Sequence, residues 1–213
     1  MMYYLKQALF GFVYLLFLAI SAFGIMLIQN TIAVVLLLVL NLALFIFLMF
    51  LFFLKEGEHA KEIKRANDLE RKEIVRTGED RPLKEREEYK PWKGFFIGGL
   101  MGAPLLLFLL IYTIVYLCGG GENNVAGAIA NFLYTPFFSF ISVSLIAEGQ
   151  TLTFGQYFIV LYCLPILSAC TGVPYLIGAK KQQKKYDKIL EKQRMLYGDD
   201  ATETEEVKED KCE

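Results

Sequence analysis

Residues 55–93 read KEGEHAKEIKRANDLERKEIVRTGEDRPLKEREEYKPWK, and they divide the chain. This stretch holds 12 of the 22 Lys and Arg residues and 11 of the 23 Asp and Glu. On either side charge almost vanishes. Ala8–Leu54 has no charged residue in 47 positions, Phe95–Gly121 none in 27, and Gly149–Ala179 none in 31. A helix needs about 20 apolar residues to cross a hydrocarbon core about 30 Å thick. The chain is 55% hydrophobic, above the roughly 45–50% of soluble domains, and the uncharged runs account for the excess. The fold expected is an all-α integral membrane protein. It has four transmembrane helices as two hairpins, a charged helical linker, and one re-entrant or interfacial outer segment.

Four regions follow: a transmembrane hairpin over 1–54, the charged linker over 55–93, a second membrane region over 94–179, and a tail over 180–213. Every Lys and Arg lies at Lys6, in 55–93, or from Lys180 onward. Positive charge collects on the cytoplasmic side. The expected location is therefore the cell (inner or plasma) membrane, with both termini and the linker cytoplasmic.

Within the first hairpin, Ala8–Ile28 and Ile32–Leu54 are the spans. Ala19-Ile20-Ser21 has the small-residue look of a leader cleavage site, but one Lys before it and the apolar run after it argue against cleavage. In the connection, Asn30 suits a left-handed helix end and Thr31 a helix cap. The second span is bulky at its middle, so it is expected at the periphery of the other three. Asn41 lies near its centre, where a buried amide needs a partner.

The linker pairs acids with bases three residues on: Glu58/Lys61, Glu62/Arg65, Asp68/Arg71 and Glu73/Arg76. Such pairs support a solvated helix. Thr77-Gly78 and Pro82 should end it, and a short helix over Leu83–Tyr89 should follow. Trp92 and the flanking lysines anchor the return to the membrane.

Gly94, Gly98 and Gly102 recur every four residues at the start of the third span, with Ala103 beside them. A ridge without side chains lets another helix backbone approach closely, so these four are the expected helix-packing residues, within the chain or between copies. Pro104 should loosen the helix. The segment 131–147 is short, is broken by Pro136 and is polar at intervals. The third span ends outside and the tail starts with a basic cluster, so an odd number of crossings joins them. The last hydrophobic run, Tyr157–Ala179, is a full span, which leaves 131–147 re-entrant or interfacial. Five spans with an external tail is the competing arrangement.

Chemistry is sparse. The uncharged runs hold no ionisable group of the kind that marks a proton or ion path. Cys118, Cys163, Cys170 and Cys212 lack metal-ligand spacing, and His59 is the single histidine. No catalytic, cofactor or metal residue is expected. The candidate polar membrane positions are Asn41, Glu148, Ser168 and Thr171, with Asn41, Ser168 and Thr171 expected near the midplane. In the tail, 180–196 carries seven basic and two acidic residues and 197–213 two basic and eight acidic. Lys180, Lys181, Lys184 and Lys185 are therefore expected to meet anionic lipid, and the acidic end could compete for them. Mixed charge in the linker argues against nucleic acid. The reading is an accessory or assembly subunit acting through helix packing and a cytoplasmic docking segment, with a membrane-protein partner or a second copy. The alternative is a component of a transporter or channel for a small neutral or lipid-like molecule.

Overall fold

The structure is a computed structural model. It describes residues 2–28, 30–78, 89–120, 125, 127–130, 132–133, 158 and 160–197. Four long helices carry it: α1 (Met2–Met26), α2 (Thr31–Thr77), α3 (Lys93–Val115) and α4 (Val160–Tyr197). A π turn, Tyr116–Gly120, closes α3, with Gly119 at φ 88°. All four helices are long and apolar enough to cross a membrane, which marks the chain as a multi-pass membrane protein. The short helix expected over 83–89, the segment 131–147, Glu148 and the acidic end of the tail lie wholly or mainly outside the described residues.

The start of α2 corrects one local expectation. Asn30 is extended (φ −86°, ψ 106°), not left-handed, and it is itself the cap. Its Oδ1 accepts from the backbone N–H of Ile32 at 3.1 Å and of Ala33 at 3.2 Å. An Asn one residue before the helix satisfies donors that have no intrahelical partner. At the other end Gly78 takes φ 68° and donates its N–H to the Ile74 carbonyl at 2.9 Å. A left-handed glycine cap stops the helix there at little cost.

Between those caps α2 is one helix of 47 residues, about 70 Å long. The apolar run ends at Leu54 but the helix does not. Lys, Glu, Arg and Ala are good helix formers, and no proline intervenes before Pro82. The same holds for α4, where the polar half follows Ala179 without a break. The boundaries at 54/55 and 179/180 are thus changes of solvent, not of backbone.

The helices form a four-membered ring in which α1 touches α2 and α3, and α4 touches α2 and α3. Side-chain contacts give the directions. Phe10 meets Phe52 and Ser21 meets Asn41, so α1 and α2 are antiparallel. Gly94 faces Gly172 and Tyr175 while Gly102 faces Leu164 and Leu167, so α3 and α4 are antiparallel. Gly57 faces Tyr175 and Glu58 pairs with Lys181, so α2 and α4 run parallel. The second span itself, Ile32–Leu54, turns Leu36, Leu40, Leu44 and Phe47 outward and is the least buried of the four apolar stretches. α2 packs onto α4 from Leu54 and Gly57 onward, in its charged half.

Among the described residues, the larger of two apolar clusters includes Leu15, Phe53, Ile97, Met101, Leu105, Tyr112 and Tyr175, all fully buried or nearly so. The smaller, Ala22, Val34 and Leu38, joins α1 to α2. Ala130 and Leu133 belong to the larger, and Phe132 lies against Phe23 of α1 with ring centroids 5.9 Å apart.

Candidate functional site

Close backbone approach decides where α4 sits. A Cβ added at Gly98 would meet Thr171 Oγ1 and would stand 2.7 Å from Ser168 Cα and 2.8 Å from the Leu167 carbonyl oxygen. One added at Gly94 would stand 3.0 Å from Gly172 Cα, and one at Gly102 would strike Leu164. Gly99, one position off this face, would meet only Ser168 Oγ at 3.8 Å. Ala103 is exposed and lies off the packed face. Across the seam Thr171 is fully buried, and its hydroxyl donates to the Gly94 carbonyl at 2.9 Å. A glycine at 94 leaves that carbonyl open to a second helix. Thr171 therefore sits level with the first turn of α3, and Ser168 about one turn further in.

Asn41 serves the opposite seam. Its Nδ2 donates to the Leu18 carbonyl at 3.3 Å, and Ser21 Oγ donates to its Oδ1 at 2.9 Å. Both ends of the amide are thus occupied by α1, which offsets the cost of an amide in an apolar helix. Cys118, Cys163 and Cys170 are free thiols. Among the described residues no group of His, Cys, Asp and Glu could hold a metal ion.

A polar and aromatic assembly lies where the charged segments meet the bundle. Lys93 is fully buried at the first residue of α3. Its Nζ stands 4.1 Å from the Tyr3 ring centroid and 5.5 Å from that of Tyr4. Tyr4 in turn stacks on Trp92 at 6.1 Å and meets Phe96 edge-on. An aromatic face attracts a cation, more strongly when both are out of water. Glu56 on α2 is near enough to feel the Lys93 charge. Beside it the buried Tyr175 stacks on Tyr89 (5.5 Å, 13°) and turns its phenol toward the Lys90 backbone. Burial raises the pKa of the Tyr89 phenol above its ordinary value. Lys61 Nζ lies 5.4 Å from the Tyr89 ring centroid.

Beyond this cluster α2 and α4 continue side by side. Added Cβ atoms would clash with backbone at Gly57, 2.8 Å from the Tyr175 carbonyl carbon, and at Gly178, 2.9 Å from that of Leu54. Further out, Lys181 and Lys185 approach Glu58 at 2.8 and 3.8 Å. Gln182 donates to Glu62 at 2.7 Å and to the Tyr186 hydroxyl at 3.0 Å. Arg65 lies over the Tyr186 ring at 4.1 Å. Lys181 and Lys185 therefore turn partly to the neighbouring helix. From sequence, Glu58 pairs with Lys61 and Lys93 flanks the membrane beside Trp92, while Tyr175 and Gln182 carry no expected role. Spacing does carry a signal for them: Phe53, Gly57, Ala60, Lys64, Asn67, Arg71 and Ile74 step by four and three, as do Tyr175, Ala179, Gln182 and Tyr186. That is a heptad seam, with Gly57, Ala60, Asn67 and Gln182 buried along it. Compared with protein-family models, curated proteins and solved structures, the chain matches none.

Proposed function

We propose that this chain is an accessory or assembly subunit of a membrane complex and has no catalytic role of its own. Its four spans form two hairpins with both termini cytoplasmic, and α2 and α4 extend together into the cytoplasm as a docking arm. The observation that carries this reading is the parallel α2/α4 pair. It stays packed, polar and cross-linked by side chains for several turns past Leu54 and Ala179. A chain that needed only to fill membrane would have no use for that extension. Near its far end the arm exposes Leu69, Val75, Met195 and Leu196, apolar side chains that a partner would cover.

Two further observations support the topology. Because α3 and α4 are antiparallel, the chain between them leaves and returns on one side, in keeping with a re-entrant or interfacial 131–147. Leu133 is buried, and Phe132 reaches the end of α1, which fits partial insertion. The Gly94, Gly98 and Gly102 face acts as a glycine zipper within the chain, between α3 and α4. Lys180, at the membrane end of the arm, would meet anionic headgroups.

The test is purification of the tagged chain from its native membrane in mild detergent, followed by mass spectrometry of what co-elutes. A stoichiometric partner, lost when Leu69 and Val75 are changed to Glu, is the expected result. A chain that elutes alone or only with copies of itself would overturn the reading and shift weight to a transport role.

A further inference from the structure

The basic residues of the α4 extension fall into two sets. Lys181 and Lys185 turn to Glu58. Lys180, Lys184, Lys188 and Lys192 recur every four residues and are all exposed. None of these four makes an ion pair with another described residue. Four-residue spacing stacks them in one row along the helix, about 18 Å from first to last at 1.5 Å per residue. Asp187 and Glu191 are the acidic neighbours on the same helix, and Asp187 accepts from Gln183 at 3.0 Å.

The row runs along α4, and α4 stands against α2 instead of lying flat. A lipid surface at the base of the extension meets Lys180. Lys192 then stands about 18 Å further out, more than twice the Debye length of about 8 Å at physiological salt. An elongated anion satisfies all four lysines, and the chain carries one. Residues 198–213 hold eight acidic and two basic residues, and they follow directly on Tyr197. Sixteen residues can span about 50 Å, so reach is ample. A short tether also gives the segment an effective concentration of about millimolar at the row.

We infer that the acidic segment 199–213 docks on the Lys180–Lys192 row of its own chain and covers that side of the arm until a partner displaces it. The inference rests on the docking reading above and adds its regulation. Exposed ion pairs are individually weak and screened by salt. The contact is therefore a removable cover and not part of the fold, and a partner with a better-matched acidic surface takes its place.

The test uses the full chain alone, in nanodiscs of phosphatidylcholine, so it does not depend on any partner. Each lysine is acetylated with an N-hydroxysuccinimide ester and read by mass spectrometry, with exposed Lys55 as internal reference. Neutralising the eight acids of the tail (Asp→Asn, Glu→Gln) leaves every described helix untouched. Lys184, Lys188 and Lys192 are expected to react about three- to tenfold more slowly in the native chain than in the neutralised one. The difference should vanish at about 1 M salt, where the Debye length is about 3 Å. Equal reactivity in the two chains overturns the inference. So does protection that appears only in phosphatidylserine nanodiscs, which would assign the row to lipid, or protection that grows with protein concentration, which would assign it to a second copy. Failure to find a partner in the co-purification would instead count against the docking reading and leave this result standing.

Discussion

Replacing Gly98 with Ala tests the α3/α4 seam against its neighbour. The new methyl would stand 2.7 Å from Ser168 Cα and 2.8 Å from the Leu167 carbonyl oxygen. Those atoms are backbone and cannot turn away, so α3 and α4 must part by several tenths of an ångström or more. Overpacking of this kind costs about 1–3 kcal/mol. The Thr171 hydroxyl, 2.9 Å from the Gly94 carbonyl, would give up that partner but keeps the Leu167 and Ser168 carbonyls of its own helix, each at 3.1 Å, so it adds little. The destabilisation is therefore about 1–3 kcal/mol. Gly99→Ala is the control on the same turn: its methyl meets only Ser168 Oγ at 3.8 Å. That is ordinary contact, so the change should lie within about 0.5 kcal/mol of neutral. The assay is reversible unfolding in mixed micelles with added denaturing detergent, run side by side on both variants. The gap between them should be about 1 kcal/mol or more. Equal stabilities would refute the close approach of α3 to α4 at this point, and with it the placement of Thr171.

Gly178→Ala should open the α2/α4 pair at its base, because its methyl would stand 2.9 Å from the Leu54 carbonyl carbon; faster hydrogen exchange over 55–75 checks this. Lys93→Met should free the first turn of α1, since it removes the cation beneath Tyr3 and Tyr4. Trp92 is the single tryptophan of the chain and stacks on Tyr4, so its emission reports the change, and Tyr4→Leu should reproduce it. Burial raises the pKa of Tyr89, so the folded state holds this proton at pH values where the unfolded state has lost it. The stability this contributes is complete below about pH 10, the ordinary tyrosine value, and falls as pH rises further. Tyr89→Phe should flatten that alkaline loss, read as stability against pH between 9 and 12.

The spans were legible because the bilayer imposes one demand, a long uncharged run, and four helices carry such runs. Gly78 was legible as a stop because glycine alone takes φ 68° without strain. Asn30 was half legible: Asn is a good cap and a good left-handed residue, and only the chain direction chooses between those roles. Helix continuity through Leu54 and Ala179 was hidden, because hydropathy changes sharply there while helix propensity does not. The α2/α4 seam was hidden for a related reason. Its buried positions include Gly57, Ala60, Asn67 and Gln182, so a search for Leu and Ile at heptad spacing passes over them. Lys93 was legible as a membrane-flanking charge but not as a buried one. Its burial depends on Tyr3, Tyr4 and Glu56, which are distant in sequence and are brought together only by the packing of α1, α2 and α3.

The two seams of α4 are not independent. One face of the helix meets α3 at Gly94, Gly98 and Gly102, and another meets α2 at Gly57 and Gly178. Tyr175 takes part in both, since its side chain lies against Gly94 and its backbone against Gly57. Contacts between backbones leave no side chain to rearrange, so a shift of α4 away from α3 cannot be absorbed locally. It must either press Tyr175 into Gly57 or carry α2 along. The polar contacts one to two turns beyond, Glu58 with Lys181 and Arg65 with Tyr186, ride on the same two helices. What happens at the glycine face among the spans is therefore felt along the extension. One helix pair thus runs unbroken from the apolar stretches into the charged extension, and Tyr175 is the residue at which the two seams meet.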